Sequence, residues 1–469
     1  MKSISLIALL FWSCCLPHLS FSAQPNLLLI IADDLNCELG CYGNALVHSP
    51  NLDRLATRGM KFDRAFCQYP LCNPSRTSIM TGLRPETLGT TAMGNSVEEV
   101  KLPEGATIIG AWLRGHGYFS AKAGKIFHGE KYTNTWDEAL AWSDDEDVNA
   151  GARTKLKRTP WFALPPKMKQ VNGQQKKVGE GLVCATLDVG DEQTSDGQIA
   201  REGAKLLERA SQTGKPFFVA VGFHAPHLPL VAPKKYFELY DPAKIPLADE
   251  PLDALQAIPP TALVSSGTTE RPLTPDERRQ VIAAYYAMIA YLDAQAGLLL
   301  DALDRLKLTD NTLVIFTSDH GFHLGDHGGL WSKKTLFDAA VRVPLIIAGP
   351  GVVRGHSSPR LVELVDLFPT IAEMTATGTP PKLEGRSLSP LLSDPQAPRD
   401  RPARTVVINN ERSSGVAVRT ERFTYVEWND GQRGVELYDR TKDPQELRNL
   451  AAEPSQAPAV KTMKAILHP

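Results

Sequence analysis

The stretch Asn26-Leu-Leu-Leu-Ile-Ile31-Ala-Asp33-Asp34 decides the fold class of this chain. An unbroken apolar run of this length predicts a strand buried on both faces, which is typical of a parallel sheet covered by helices. Two adjacent carboxylates, Asp33 and Asp34, follow directly. Ligands of open α/β sheets bind beside the carboxyl ends of the strands, so the pair is well placed for a hard cation. Two aspartates in a loop are more often simply solvated, so this signal is weak by itself.

A second apolar run near the C-terminal half repeats the pattern. Asn311-Thr-Leu-Val-Ile-Phe-Thr317 predicts another buried strand, and Asp319 and His320 follow it. Carboxylate and imidazole groups from two strand ends can converge on one metal ion. The sequence therefore predicts a shared cation site for this pair and the pair that follows Ile31.

A third run, Pro216-Phe-Phe-Val-Ala-Val221, ends in a loop that carries His224 and His227 between prolines. The prolines restrict the loop, which suits a reactive imidazole and a packed, neutral core imidazole equally well. Upstream, Gly124-Lys125-Ile-Phe-His128 follows a short predicted strand. A Lys and His three residues apart share a face only if the chain turns there, and a solvated loop is the simpler interpretation.

The most reactive candidate lies in Tyr69-Pro-Leu-Cys72-Asn-Pro-Ser-Arg76-Thr-Ser-Ile-Met-Thr-Gly82. Asn73 suits an N-cap and Pro74 a first helical position, so we expect a helix over residues 75–80 that stops near Gly82. Cys72 then lies at a helix entrance, where free N–H groups and Arg76 attract anions. Such a thiol is a candidate nucleophile for an anionic substrate, and a buried structural cysteine is an equally good interpretation.

Composition excludes several function classes. The 469 residues are 42% hydrophobic and 22% charged, with a net charge of −2. This balance offers no basic surface for nucleic acid and no polybasic run for a membrane, so an anionic substrate must be met inside a pocket. Residues 1–23 are typical of a signal peptide, which predicts a secreted or periplasmic protein without stable membrane insertion. No other apolar stretch is expected to reach membrane-spanning length.

The length suits one large α/β domain with a smaller appendage. We place the catalytic domain at residues 24–395 and a small C-terminal antiparallel sheet with a helix at residues 396–469, after a proline-rich break. Residues 143–195 are expected to be an irregular insertion or lid. Five cysteines remain outside the signal segment. Their pairing, and the oligomeric state of the protein, are left open.

Three of these motifs together resemble those of the type I sulfatase family. They are Cys72-x-Pro-Ser-Arg76, the Gly-Lys-x-x-His element that ends at His128, and the Asp319-His-Gly strand end. The likeness extends over nearly the whole mature chain. Within the family, the histidine-rich segment 319–327 and Leu39-Gly-Cys-Tyr-Gly43 resemble the branch of iduronate-2-sulfatase and its bacterial relatives. Many other sulfatases have Asn where this chain has His320.

The resemblance implies an alkaline-phosphatase-like α/β fold, with a large, mixed and mostly parallel sheet between helices. It also implies that a maturation enzyme oxidises Cys72 to formylglycine (3-oxoalanine). One divalent cation, expected to be Ca²⁺, would bind Asp33, Asp34, Asp319 and His320 together with residue 72. A histidine ligand is unusual for calcium, which leaves the identity of the metal open.

The resemblance further implies how the site would hydrolyse a sulfate ester on a sulfated sugar or polysaccharide. The formylglycine hydrate, polarised by the cation and Arg76, would attack sulfur while Lys125 and Lys333 hold the sulfate oxygens. His224 would protonate the leaving oxygen, and His128 would take the proton that releases sulfate. The choice of Lys333 over Lys334 rests on a Trp-x-Lys spacing. A phosphonate or phosphate ester hydrolase of the same superfamily and a non-catalytic sugar-binding relative are the alternatives.

Overall fold

The computed structural model describes residues 24–90, 102–129, 132–140, 156–164, 167–171, 174–178, 181–247, 250, 254–263, 272–410 and 413–469. The predicted signal peptide lies outside the described residues. The strands, in chain order, are β1 Asn26–Ala32, β2 Gly59–Phe66, β3 Phe119–Gly124, β4 Glu138–Leu140, β5 Arg158–Leu164, β6 Lys167–Val171, β7 Gln174–Val178, β8 Leu182–Leu187, β9 Phe217–Gly222, β10 Leu230–Pro233, β11 Thr312–Ser318, β12 Arg342–Ala348, β13 His356–Glu363, β14 Ala403–Asn410, β15 Ser413–Arg419, β16 Phe423–Trp428 and β17 Val435–Asp439.

Helices cover both faces of the main sheet, and a further helix is the last element of the chain. They are α1 Pro50–Arg58, α2 Cys72–Thr81, α3 Pro85–Leu88, α4 Ile109–Gly115, α5 Ser195–Ser211, α6 Lys234–Phe237, α7 Pro275–Arg305, α8 Asp338–Val341, α9 Leu367–Met374, α10 Ser389–Ser393 and α11 Ala457–Leu467.

The main sheet has eight strands in the order β13-β2-β12-β11-β1-β9-β3-β4. The four strands β11, β1, β9 and β3 are neighbours and run parallel, whereas β12 is antiparallel to both β11 and β2. The sheet is therefore mixed and mostly parallel, as predicted. Its parallel centre brings the carboxyl ends of four strands to one edge.

The central strand β1 shows why the sheet lies between two helical layers. All seven of its residues are buried. Leu28 and Ile30 pack into one core with residues of α5 and α7, while Leu27 and Leu29 pack into another with residues of α2, α4 and α9. Successive side chains of a strand point to opposite faces, so a continuous apolar run needs a cover on both.

Helix α7 follows Thr274-Pro275-Asp-Glu277, a sequence typical of a helix start, and forms much of one core. Thr274 accepts a hydrogen bond from the Glu277 N–H and the Glu277 carboxylate accepts one from the Thr274 N–H, a complete capping box. This helix is long and apolar enough to cross a membrane, which contradicts the expectation that no stretch outside the signal segment reaches that length. However, 89% of its apolar window is buried in the fold, as in the core helix of a globular protein.

The C-terminal part is a four-stranded antiparallel sheet, β14-β15-β16-β17, with α11 packed against it. Met463 and Leu467 of this helix contact the sheet core around Leu437. The sheet is tied to the segment before α2, because the Val406 N–H donates to the Gln68 carbonyl over 2.9 Å. The domain division at residue 395 stays a prediction.

Three local expectations are wrong. The predicted irregular insertion at 143–195 contains the hairpin β6–β7, and its strand β8 pairs with β5 and β10 in a three-stranded sheet. The sequence of residues 362–372 predicts a helix, but residues 362 and 363 belong to strand β13. Helix α2 begins at Cys72 with Leu71 as its N-cap, so Asn73 does not cap it. The helix ends at Thr81 with Gly82 as its C-cap, close to the expected end.

Helix α1 is capped from another helix. Its N-cap Ser49 makes no side-chain capping bond. Instead, the buried Asp293 of α7 accepts hydrogen bonds from the Leu52 N–H at 2.8 Å and from both the backbone and the side-chain N–H groups of Asn51. The carboxylate thus satisfies N–H groups that the first turn leaves without partners.

We expect Asp293→Ala to lower the free energy of unfolding by about 2–3 kcal/mol, because the substitution leaves these donors without an acceptor. Urea unfolding followed by circular dichroism measures the change. Asp301→Ala on the same helix is the matched control, because it removes an exposed ion pair with Arg54 and should cost less than about 1 kcal/mol. Equal losses in the two variants would contradict the capping role.

Candidate active site

Four parallel strands deliver polar side chains to one edge of the sheet. Asp33 and Asp34 follow β1, and Asp319 and His320 follow β11. The strands on the other side of β1 contribute further groups, because His224 follows β9 and Lys125 follows β3. The sequence predicts three of these strand ends to be neighbours, and the parallel pairing brings all four together.

Helix α2 lies across this edge and places Cys72 at the centre of the cluster. The Cys72 thiol donates to Asp33 Oδ1 over 3.3 Å. His320 Nε2 lies 3.4 Å from Cys72 Sγ, and the Lys333 ammonium donates to the same sulfur over 3.3 Å. Cys72 is 1% exposed. Groups from β1, β11 and the loop after β11 therefore converge on one buried atom.

The environment of Cys72 decides between the two interpretations of its thiol. Burial raises the pKa of the Cys72 thiol far above its usual range, and the Asp33 carboxylate raises it further, against the opposing effect of Lys333. A protonated thiol is a poor nucleophile. The helix entrance and nearby cations thus do not produce a thiolate here.

Arg76 links the helix to three strand ends. Its Nε donates to Asp319 Oδ2 over 2.7 Å, and its two terminal nitrogens donate to the carbonyls of Lys125 and Ala32. Burial acts to lower the pKa of Arg76, but the carboxylates of Asp319 and Asp33 raise it above its usual value. The guanidinium is fully buried and uses its fork to fix the relative positions of β1, β3 and β11.

The two predicted lysines both bind carboxylates of the strand ends. Lys125 pairs with Asp33 Oδ2, and Lys333 Nζ donates to Asp34 Oδ1 over 2.6 Å. Burial acts to lower the pKa of each lysine, but the carboxylates raise it above the usual value. Both ammonium groups are therefore charged and lie at the strand edge where the sequence predicts them.

The carboxylates form a group that suits a divalent cation. Asp33, Cys72, Asp319 and His320 offer atoms that all lie within 4.8 Å of one another. Asp34 Oδ1 lies 3.4 Å from His320 Nε2. Burial raises the pKa of Asp34, and the like charges of Asp33 and Asp319 raise it further, with Lys333 opposing them. Such crowding of buried carboxylates is relieved by a bound cation.

The His320 ring supports the same conclusion. Its Nδ1 lies 3.0 Å from the Gly321 carbonyl, an acceptor, so we assign the ring proton to Nδ1. Burial lowers the pKa of His320 to about 4, so the imidazole is neutral. Nε2 therefore presents a lone pair towards the oxygens of Asp34 and Asp319, where a cation fits and a further acceptor does not.

His224 is held by a carboxylate that the sequence analysis missed. The buried Asp196, in the first turn of α5, accepts the backbone N–H groups of His224 over 3.0 Å and Ala225 over 2.8 Å. Burial raises the pKa of Asp196 to about 6. The contact joins residues 28 positions apart and leaves no local pattern, so only the helix start at Asp196 could be seen in the sequence.

Two other histidines complete the surroundings. His227, assigned no role from the sequence, has Nε2 3.9 Å from Asp34 Oδ2 and forms an overlapping group with Asp33 and Cys72. His128 is partly buried in the loop that follows β3, three residues beyond Lys125. The role predicted for His128 stays a prediction.

Comparison with known proteins identifies the family. A family model described as sulfatase matches residues 25–377. The chain belongs to the sulfatase family. It is a sulfuric ester hydrolase with an alkaline-phosphatase-like fold, as the motifs predict. A second model, described as the C-terminal region of N-sulphoglucosamine sulphohydrolase, matches residues 325–469 of this sulfatase.

Individual relatives agree with the family. Iduronate 2-sulfatase of Homo sapiens is 34% identical over 399 residues, which cover 76% of this sulfatase and 70% of the human chain. A structure of a protein bound to its substrate D-glucosamine-2-N,6-O-disulfate is 20% identical, with a TM-score of 0.74 over 95% and 97% of the two chains. Phosphonate monoester hydrolase of Agrobacterium radiobacter is 25% identical, with a TM-score of 0.76 over 95% of each.

We expect Asp196→Ala to lower kcat on 4-nitrophenyl sulfate by about ten- to hundredfold, because His224 loses the acceptor that fixes its backbone. Steady-state kinetics on folded protein measure the effect. Glu208→Ala is the matched control, since Glu208 is an exposed carboxylate on the same helix and should leave kcat unchanged. An unchanged kcat in Asp196→Ala would show that His224 needs no such support.

Proposed function

We propose that this sulfatase removes sulfate from a sulfated sugar or polysaccharide by using formylglycine made from Cys72 and one bound Ca²⁺. The observation that carries the proposal is the convergence on residue 72. Within 3.4 Å of its sulfur lie a carboxylate, an imidazole and an ammonium group, all from the sheet edge. A buried position with both charge signs around it suits a group that must attack an anion.

Two groups would be added to the chain. Formylglycine at position 72 would supply, as its hydrate, one hydroxyl for attack on sulfur and a second that allows sulfate to be expelled. A Ca²⁺ ion held by Asp33, Asp34, Asp319 and His320, together with an oxygen of residue 72, would supply positive charge. The crowded carboxylates and the Nε2 atom of His320, which faces them and residue 72, support this ligand set.

The cationic side chains of the chain bind the sulfate group in this proposal. Lys125 and Lys333 donate to its oxygens and spread the charge that develops during transfer. Arg76 remains on Asp319 and holds the nucleophile end of α2 against the sheet. Because the site is buried, each of these charges acts more strongly than it would in water.

Two imidazoles move protons. His224 protonates the leaving sugar oxygen, and His128 takes the proton from residue 72 when sulfate departs. Burial lowers the pKa of His224, and Lys125 lowers it further, so the imidazole is neutral before substrate enters. The negative charge of a sulfate beside the ring raises that pKa and favours the protonated, acidic form.

Two similar proteins indicate the class of substrate. The human relative is an iduronate 2-sulfatase, and a structural neighbour binds a disulfated glucosamine, which supports a sulfated glycan as the substrate.

A maturation enzyme acts on Cys72, and residues 1–23 direct export to the periplasm or the medium. Residues 24–395 form the catalytic domain and 396–469 the C-terminal subdomain.

A phosphonate ester hydrolase is the second candidate, favoured by the similarity to the Agrobacterium radiobacter enzyme. We expect kcat/KM for 4-nitrophenyl sulfate to exceed that for a phenylphosphonate monoester. Both esters carry one negative charge, but the sulfate offers three non-bridging oxygens to Lys125, Lys333 and the cation, whereas the phosphonate offers two. Side-by-side rates measured on the matured protein decide the matter. A dominant rate on the phosphonate ester would contradict the sulfatase proposal. If the sulfate ester dominates, a panel of sulfated monosaccharides identifies the sugar.

The matched control for that assay is Cys72→Ala, which should lower kcat by at least about 10³-fold. Mass spectrometry of the peptide that carries residue 72 checks its conversion from thiol to aldehyde. An intact thiol in protein from the native host would favour the non-catalytic sugar-binding relative instead.

We expect removal of metal by a calcium chelator to lower the thermal midpoint, and added Ca²⁺ to restore it. At about 100 times its Kd, a ligand that binds only the folded state adds about 2.7 kcal/mol of stability. Differential scanning fluorimetry measures the shift without any need for activity. Asp34→Asn should abolish it, and Mg²⁺ should restore less. A wild-type midpoint that does not respond to calcium would contradict the proposed ligand.

A further inference from the structure

The loop that carries Lys333 has neither helix nor strand to shape it. Residues 319–337 are irregular, between the end of β11 and the start of α8. Its backbone is closed by a turn in which the Gly325 N–H donates to the Leu330 carbonyl over 2.7 Å. The position of Lys333 is therefore set by the hydrogen bonds of the residues around it. One is made outside the loop, where the Lys334 N–H donates to the Pro70 carbonyl over 3.2 Å.

His323 is the centre of those contacts and is fully buried. Its backbone N–H donates to the Ser332 carbonyl over 2.8 Å, immediately before Lys333. Its ring nitrogen Nε2 lies 2.6 Å from the hydroxyl of Thr335, two residues after Lys333. His323 thus holds the chain on both sides of the lysine, whose Nζ reaches Asp34 and Cys72.

Asp326 fixes the orientation of this ring. Its Oδ2 lies 2.6 Å from His323 Nδ1 and 2.8 Å from His327 Nδ1, and its Oδ1 accepts the Leu324 N–H. Burial acts to raise the pKa of Asp326, but the two imidazoles hold it well below its usual range. An ionised Asp326 only accepts, so each histidine donates from Nδ1.

The protons can be assigned from these partners. His327 Nε2 faces the Glu446 carbonyl, another acceptor, so His327 carries both ring protons and neutralises Asp326. His323 Nε2 forms its hydrogen bond with the Thr335 hydroxyl. The hydrogen bonds run from Thr335 to His323 to Asp326.

This group of two histidines and one aspartate has the composition of a metal site, and its ligand atoms lie within 4.8 Å of one another. Each ring nitrogen already has a hydrogen-bond partner, however, so the contacts are complete without an ion. The connectivity is also that of a hydroxyl–imidazole–carboxylate triad. Because the Thr335 side chain is fully buried, its hydroxyl acts on the loop and not on a substrate.

We propose that His323, oriented by Asp326 and bonded to Thr335, is a positioning residue that fixes Lys333 against residue 72. The inference rests on the proposed function, in which Lys333 binds sulfate. The segment between the end of β11 and Lys333 would then serve to position the lysine. The presence of histidines in this segment does not by itself indicate such a role. The rigid support of a charged group matters because small displacements in an active site cost large factors in rate.

The test compares Thr335→Val with Thr335→Ser in the matured protein. Valine keeps the volume of threonine and removes the hydroxyl, whereas serine keeps the hydroxyl. We expect Thr335→Val to lower kcat on 4-nitrophenyl sulfate by about ten- to hundredfold. The inhibition constant of inorganic sulfate should rise as well, because Lys333 no longer meets the anion. Thr335→Ser should restore most of both quantities.

Thr370→Val is the control for a merely structural effect. Thr370 is also fully buried and also uses its hydroxyl, which donates to the Asp366 carbonyl and accepts the Leu388 N–H. Its loss should lower the thermal midpoint without changing kcat per folded molecule or sulfate inhibition. A similar response of Thr335→Val, with both kinetic quantities intact, would overturn the inference.

Lys333→Ala separates this inference from the proposed function. If Lys333→Ala keeps full activity, the role of the lysine is wrong and the positioning role is overturned with it. If Lys333→Ala loses activity but Thr335→Val does not, only the positioning role is overturned. Should Thr335→Val fail to fold, Thr335→Ala replaces it. If neither folds, the hydroxyl supports the fold and not the lysine, which also overturns the inference.

Discussion

The buried ion pair between Arg76 and Asp319 is the interaction on which the site depends. Both side chains are fully buried, and the pair joins helix α2 to the end of strand β11. Removing one partner of such a pair leaves an uncompensated charge and typically costs about 3–5 kcal/mol. The same guanidinium bonds the carbonyls of Ala32 and Lys125, so the strand edge and the helix entrance hold one geometry.

The sequence predicts the centre of the fold well and its edges poorly, for a physical reason. Strands β1, β9 and β11 are buried on both faces, so their apolar runs are visible without knowledge of their neighbours. The apolar pattern of residues 362–372 predicts a helix, but residues 362 and 363 lie in strand β13, because its pairing with β2 is a contact between distant residues. Pairing of this kind leaves no local period to detect.

The same distinction applies to the site. Asp33, Asp34 and Asp319 could be found because they follow buried strands directly, where the parallel sheet must bring them together. Asp196 and His323 could not, because one bonds the backbone of a distant loop and the other bonds a threonine across an irregular segment. The strand-end carboxylates follow a rule of topology, whereas the contacts of Asp196 and His323 depend on tertiary structure alone.

Burial also constrains the chemistry that residue 72 can perform. A helix entrance near cations lowers the pKa of an exposed thiol, but full burial beside Asp33 reverses the effect and keeps Cys72 protonated. Burial therefore strengthens the electrostatic interactions of the charged groups around position 72, and it also favours the protonated, less nucleophilic form of the Cys72 thiol. A nucleophile that needs no thiolate resolves this conflict, since a hydrated aldehyde offers hydroxyl oxygens to the same cations. The environment that raises the pKa of the Cys72 thiol is therefore compatible with the formylglycine proposal.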